Sequence, residues 1–453
     1  MRRGTPPGRD AVVERSVSMA ESLVEKVESW GIVGAGGGGF PTHVKLKAKA
    51  DIIILNAAEC EPLLHKDKEV LRAFPEEVIA GLQQAARQVG ATQAVIGIKG
   101  KYEDVIELLR PRLPAGMRIA ELSDSYPSGD EFILVYDVTG RIIPPGKIPL
   151  AVGAVVINVE TALNIARAAP VTRKFLTIAG AVREPVTVGV PVGITFREAI
   201  AMAGGTTVAD PVALVGGVMM ARLATDLDEP VTKTTGGLIV LDRGHRLVAR
   251  YLLPWKSIAR IGASACDQCS FCTEYCPRYL LGHPIEPHKA MRSLVFSEVG
   301  EANTIGTQFC CECNVCTMIA CPEDLDPKNV CAQNKRRLAQ EGKRWETTAV
   351  EQRPRLHLAN RRIPIQRLIR KLGLAGFRNE GPMRENGWRP ARVTLPLKQH
   401  AGAPAQPLVR PGDRVREGDA IARPPAGQLG AVLHASITGT VAGVSDAIVI
   451  EAE

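Results

Sequence analysis

Apolar residues first recur at helical spacing, with Leu23, Val27 and Trp30 at i, i+4 and i+7, which predicts a helix ending at Gly31. The period then changes. Residues 51–55 read Asp-Ile-Ile-Ile-Leu, a short β-branched run that predicts a buried strand. The pattern continues with a helix over 69–89, a strand over 93–98, a helix over 102–110, a strand over 117–122 and a buried strand at 155–157. Strands alternating with amphipathic helices predict a parallel α/β sheet. Residues 171–240 switch to short strands, at 174–178, 180–182, 186–188 and 191–193, then a helix over 196–203 and a strand at 238–241. Helices are expected on either side of a cysteine-rich stretch, and Ile365, Leu368, Ile369 and Leu372 form an apolar stripe that should pack as core. From about residue 388 short strands and turns alternate to the end. Residues 1–18 read as a polar, Pro-containing tail, with Met19 a candidate natural start.

A length of 453 residues suggests about three or four domains. No apolar signal segment is visible near the N-terminus. The longest apolar run, 148–159, contains Asn158 and is too short to span a bilayer. A cytoplasmic protein with reduced thiols is therefore expected. The net charge of +8 is uneven: thirteen Lys or Arg and three Glu lie between Lys335 and Arg378. That segment has no nucleic-acid motif and only Trp345 and Phe377 as aromatics, which argues against a nucleic-acid partner. It reads as a solvated helical face or as an electrostatic docking surface.

Nine of the eleven cysteines lie between residues 265 and 322. Eight form two runs, Cys266-x2-Cys269-x2-Cys272-x3-Cys276-Pro277 and Cys310-x2-Cys313-x2-Cys316-x4-Cys321-Pro322. Three closely spaced thiolates can wrap one cluster while a fourth, displaced by a Cys-Pro turn, reaches the other run's cluster. This predicts two [4Fe–4S] clusters, one held by Cys266, Cys269, Cys272 and Cys321, the other by Cys310, Cys313, Cys316 and Cys276. Zinc uses two pairs of ligands rather than triplets with a trailing Cys-Pro, and a disulfide framework needs an oxidising compartment. Cys311 fits the spacing worse than Cys310 and is left out.

Four polar loops follow buried strands or helices. Gly34-Ala35-Gly36-Gly37-Gly38-Gly39-Phe40-Pro41-Thr42-His43-Val44-Lys45 removes Cβ atoms, so a backbone can approach a flat or phosphorylated ligand, and Lys45 adds positive charge. By itself such a stretch also suits a flexible loop; it matches neither the P-loop nor the spaced dinucleotide fingerprint. Asn56-Ala57-Ala58-Glu59-Cys60-Glu61-Pro62 ends the first strand, where α/β sheets bind ligands. Tyr126-Pro127-Ser128-Gly129-Asp130-Glu131 and Asn158-Val159-Glu160-Thr161 are the other two.

Together these loops resemble the flavin-binding fold shared by the NADH-binding, flavin-carrying subunit of respiratory complex I and the RnfC subunit of ion-pumping ferredoxin oxidoreductases. The resemblance implies FMN at Gly34, Gly36, Gly37, Gly39, Lys45, Asn56, Glu59, Asn158 and Thr161, with Glu61 and Glu131 on the nicotinamide side. Ala35 departs from the complex I pattern, which has Arg there. Residues 171–240 resemble the soluble-ligand-binding β-grasp module, as a spacer or a ligand binder. The C-terminal stretch resembles the barrel-sandwich hybrid of lipoyl and biotinyl carriers. Its only Lys after Trp388 is Lys398, far from the exposed hairpin, so no swinging arm is expected. His400 and His434 are read as structural rather than ligand-binding. The implied architecture is a tail (1–18), an FMN- and NADH-binding α/β domain (19–168), a β-grasp domain (169–245), a helical ferredoxin-like two-cluster domain (246–380) and a barrel-sandwich hybrid (385–453).

In RnfC subunits the hybrid module precedes the flavin domain, whereas here it comes last. That order is similar to the cobalamin reductase family of propanediol utilisation (PduS). The resemblance implies an NADH-dependent oxidoreductase that carries electrons through FMN and two clusters to cobalamin, from cob(III) toward cob(I). No side-chain acid or nucleophile is expected to be catalytic. The implied setting is the cytoplasm or a bacterial microcompartment lumen, with a microcompartment shell or a corrinoid adenosyltransferase as partner. Two other readings stand beside it. One is an RnfC-like NADH dehydrogenase delivering electrons to ferredoxin or another acceptor. The other is an electron-wiring or scaffold protein whose flavin site is vestigial.

Overall fold

Four parallel strands make the first sheet, in the order Met117–Leu122, Gln93–Lys99, Ile52–Ala57, Ala154–Asn158. The computed structural model describes residues 21–295, 300–346, 352–385 and 387–453; the expected N-terminal tail lies outside these. Helices cover both faces of the sheet, which is why its strands are apolar throughout rather than alternating. Ile53, Leu55, Ile96 and Ile98 face the helices Pro75–Val89 and Val159–Arg167, whereas Ile52, Ile54, Val95 and Val156 face Leu134 and Val135 of Glu131–Thr139. The chain builds outward from Ile52–Ala57 and then returns to its other side. Ligands bind at such a reversal, beyond the C-terminal strand ends. The register pairs Asn56 with Asn158 there.

The single helix expected over 69–89 is two, Lys66–Ala73 and Pro75–Val89. Pro75 lacks an N–H and its ring drives the preceding residue out of helical geometry, leaving Phe74 at φ −135° and ψ 49°. The break lets Lys66–Ala73 turn its first residues toward the C-terminal strand ends. At Gly81 an added Cβ would lie 1.8 Å from the carbonyl oxygen of Ala162, so glycine permits the two main helices to cross in backbone contact.

The second sheet has six strands, ordered Met383–Arg384, Val186–Pro191, Arg173–Gly180, Gly237–Asp242, Pro211–Val215, Arg222–Ala224. The short strands expected at 180–182 and 191–193 are instead the ends of Arg173–Gly180 and Val186–Pro191 and the turns beyond them. Three strands, Pro211–Val215, Arg222–Ala224 and Met383–Arg384, escaped the pattern. The C-terminal region forms a four-stranded and a three-stranded antiparallel sheet. Its Val393, Leu395, Ile448 and Ile450 share one core with Leu176, Val188 and Phe196 of the six-stranded sheet and its helix. Burying them together fixes the two modules to each other.

Much of the basic segment is the solvated helical face expected, with Arg336 and Arg337 exposed on Pro327–Gln340 and Arg367, Arg370 and Lys371 exposed on Ile365–Lys371, but three of its residues are pinned. Lys335 donates to the carbonyl of Cys310 (2.9 Å) and to Glu312 (3.2 Å). Arg361 pairs with Glu274 at 2.9 Å and lies over the ring of Tyr275, and Arg362 grips Asp137 through both of its terminal nitrogens. These arginines strap the chain back over the cysteine region and the first domain. The stripe at Ile365, Leu368, Ile369 and Leu372 is buried as expected. Among the described residues no helix is long and apolar enough to cross a membrane.

Candidate active site

At the reversal of strand order lies a cleft of about 780 Å³. Its walls come from the glycine loop, the ends of Ile52–Ala57 and Ala154–Asn158, the 126–131 loop, and the β-grasp turns near 215–222 and 230–236. All eleven residues named for FMN and NADH line it: Gly34, Gly36, Gly37, Gly39, Lys45, Asn56, Glu59, Glu61, Glu131, Asn158 and Thr161.

The glycine loop is held from behind and open in front. Ala35 donates its N–H to Thr161 Oγ1 (3.0 Å) and accepts from Lys174 Nζ through its carbonyl (3.0 Å). On the open side, a Cβ added at Gly37 or Gly38 would meet nothing within 4 Å, and one at Gly36 would touch only Asn158. Gly37 stands at φ +107°, which excludes most other residues. Bare backbone therefore faces free space large enough for a flat ligand, which fits the flavin expected there.

Beneath the loop sits a buried charge knot. Glu160 receives Lys66 at 3.1 Å, Lys174, and the N–H of Phe175 at 2.9 Å. Burial pushes its carboxyl up, but the two lysines outweigh burial and hold it ionised. Lys66 also reaches Asp67 (2.8 Å) and Asn158 Oδ1 (3.2 Å), while Asn158 Nδ2 donates to Asp67 (2.9 Å). The register partner Asn56 donates to the carbonyl of Gly129 (2.8 Å) and accepts from the N–H of Ala58 (3.2 Å). Both asparagines are thus fixed before any ligand arrives.

The acidic residues have separate surroundings. Burial, aided by Asp67, pushes Glu59 up to about 8, so it holds a proton at neutral pH while accepting the N–H of Asp67 at 3.2 Å. Glu61 instead accepts three successive backbone N–H groups, from Val218 (2.8 Å), Met219 (2.8 Å) and Met220 (3.0 Å), and so ties the acidic loop to the β-grasp wall. Glu131 pairs with Lys45 at 3.2 Å, and Lys45 also donates to the carbonyl of Val156 at 3.0 Å. The β-grasp module supplies Thr232, Thr234 and Thr235 to the cleft, so it is more than a spacer. Sequence reasoning missed these threonines, along with Lys66 and Asp67. The signal for the last two was present: charged residues just after a buried strand, ahead of a Pro that ends their helix.

The cysteines gather into two groups. Cys266, Cys269, Cys272 and Cys321 line one cavity, and Cys276, Cys310, Cys313 and Cys316 line another, together with Cys311. The runs are structural copies. Gln268 and Ser270 in the first, and Glu312 and Asn314 in the second, all have left-handed backbone, at φ 57°, 69°, 59° and 66°. By this correspondence Cys310 stands where Cys266 does, and Cys311 stands where Asp267 does. The second run's extra residue is absorbed in one π-helical turn, Cys316–Ala320. The backbone N–H of Glu312 points to Cys310 Sγ (3.4 Å) and that of Leu325 to Cys321 Sγ (3.3 Å).

Family models match each part: the Nuo51 FMN-binding domain over residues 27–167, the SLBB domain over 175–223, a 4Fe-4S dicluster domain over 265–326 and the RnfC barrel sandwich hybrid domain over 382–453. The chain is 43% identical to the cobalamin reductase PduS of Salmonella typhimurium, and 42% identical to that of Citrobacter freundii, over 96% of its length and 97% of each relative. The chain belongs to the cobalamin reductase PduS family. It is an oxidoreductase with an FMN-binding domain and a 4Fe-4S dicluster domain. It is also 34% identical, over 58% of its length and 59% of the relative, to a component of the Na(+)-translocating ferredoxin:NAD(+) oxidoreductase complex of Acetobacterium woodii. The dicluster match decides between iron–sulfur and zinc for the paired runs.

Proposed function

We propose that this chain oxidises NADH in the glycine-loop cleft and delivers the electrons singly, through two [4Fe–4S] sites, to a cobalamin. The observation that carries the reading is the convergence of eleven residues from four loops on one cleft, one of whose walls, at Tyr126, is bonded to the second cysteine run: the Tyr126 hydroxyl donates to the carbonyl of Cys313 at 2.8 Å. FMN, when bound, supplies exchange of electrons in pairs with NADH and singly with iron–sulfur clusters. The open backbone of Gly36, Gly37 and Gly38 would lie against it, and Lys45 would offer charge to its phosphate. Asn56, Asn158 and Thr161 hold the loop and strand ends in place. Glu59 keeps a neutral, protonated carboxyl on the wall at pH 7. Cys266, Cys269, Cys272 and Cys321 would hold one cluster, and Cys276, Cys310, Cys313 and Cys316 the other. The activity for which the relatives are named points to cobalamin as acceptor. A microcompartment setting, with a shell or an adenosyltransferase as partner, goes with that reading.

Anaerobic stopped-flow spectroscopy of reconstituted protein with NADH, with and without hydroxocobalamin, tests the reading. Bleaching of flavin and clusters followed by reduced corrinoid bands is expected. Bleaching that stalls with the corrinoid untouched would move the acceptor to ferredoxin or another carrier, a reading the Acetobacterium relative favours. Clusters without FMN binding or NADH oxidation would overturn it and favour a scaffold.

A further inference from the structure

The two cysteine sites are unequal neighbours of the cleft. Three contacts join the site of Cys276, Cys310, Cys313 and Cys316 to the cleft walls. Tyr126, a wall residue, bonds to Cys313 as described. Asn314 donates to the carbonyl of Met219 (3.1 Å), in the turn that Glu61 holds. Arg278, two residues beyond Cys276, grips Asp130 of the wall (2.5 and 2.9 Å) and covers the ring of Phe132 at 3.8 Å. Cys313 also packs in one core with Leu63 and Tyr126. The site of Cys266, Cys269, Cys272 and Cys321 opens outward instead: Cys269 is exposed and Phe271, within the same run, is 42% exposed.

We propose that the sites work in series, with a fixed order. The inner site, Cys276 with Cys310, Cys313 and Cys316, takes electrons from the cleft. The outer site, Cys266, Cys269 and Cys272 with Cys321, passes them on at its Cys269 edge to a one-electron acceptor. Electron transfer weakens steeply with distance, so the site bonded to the cleft wall is the one that receives. A buried site cannot be approached by a bulky acceptor, so the exposed one gives. Each NADH oxidised yields NAD⁺, a proton to solvent and two electrons; these cross one at a time and reduce two acceptor molecules. This order rests on the functional reading above.

Freeze-quench EPR of reconstituted full-length protein mixed anaerobically with NADH tests it. In Cys269→Ser the inner signal should still appear at the wild-type rate, while reduction of hydroxocobalamin falls at least tenfold. In Cys310→Ser the outer signal should appear with dithionite but not with NADH. An outer signal raised by NADH in Cys310→Ser, or an inner signal lost in Cys269→Ser, would overturn the order. Wild-type protein whose clusters NADH does not reduce would count against the functional reading instead. The order then stands or falls on a measurement that needs neither NADH nor a cysteine variant. In dithionite-reduced wild type, a soluble dysprosium chelate should broaden the outer site's signal and spare the inner one; equal broadening would overturn the order.

Discussion

The cleft and the cysteine sites are built in opposite ways. The cleft takes its walls from segments spread between residues 34 and 236, brought together by a sheet reversal and by docking of the β-grasp module. The cysteine cavities are lined by residues 266–328 alone. A site assembled from distant segments depends on the groups that pin those segments, even where they touch no ligand. A site coiled from one short stretch depends on its own spacing. The glycine loop shows the first kind of dependence, since Glu160, Lys66 and Lys174 beneath it hold it in place.

Glu160→Ala should separate the two regions most strongly. It leaves the buried Lys174 without a carboxylate and Lys66 with Asp67 alone, at about 3–5 kcal/mol. Denaturant unfolding should show the loss, and FMN retention should fail, while iron and sulfide content after reconstitution stays near wild type. Equal loss of clusters would mean that the two regions are not separable. Glu61→Ala should be next, at about 2 kcal/mol, because three backbone N–H groups lose one acceptor. Here the NADH KM should rise more than cluster content falls, and an unchanged KM would mean that the 218–220 turn does not shape the cleft. Lys45→Ala should weaken FMN binding about tenfold, or ~1.4 kcal/mol, with little change in stability, since Lys45 is half-exposed. Unchanged affinity, read by flavin fluorescence, would remove Lys45 from the site.

An effect that appears only as the pH falls concerns the C-terminal module. Burial, with Lys233 nearby, lowers His434 to about 3 in the folded chain, against about 6.5 unfolded. Between those values the unfolded chain binds the extra proton. Stability is therefore full above pH 6.5 and falls below it, by up to ~1.4 kcal/mol per pH unit. Melting of wild type and His434→Leu between pH 7 and 5 should diverge in slope. Parallel slopes would show that His434 carries no such linkage.

What could be read from the chain follows the same division. Two cysteine runs and a run of glycines are local patterns whose chemistry follows from spacing, and Asn56 and Asn158 stand out because each follows a buried strand. The partners of Glu61 lie some 157 residues away, and those of the basic arginines are as remote as Asp137 from Arg362. No periodicity carries that information, so the straps and the charge knot emerged only from packing. The helix break at Pro75 was legible, but a continuous apolar pattern hid it. Thr232, Thr234 and Thr235 sit in a polar turn that any surface loop could contain, and only docking brings them to the cleft.

The functional reading depends above all on FMN lying against the open face of the glycine loop, and Gly38→Val probes that placement. A Cβ added there meets nothing within 4 Å in the protein itself, so the variant should fold and melt like wild type. It would, however, fill the space the flavin needs. Titration of apoprotein with FMN, followed by fluorescence quenching, should show affinity reduced at least tenfold in Gly38→Val at unchanged melting temperature. Wild-type affinity in that variant would place the flavin elsewhere and contradict the reading.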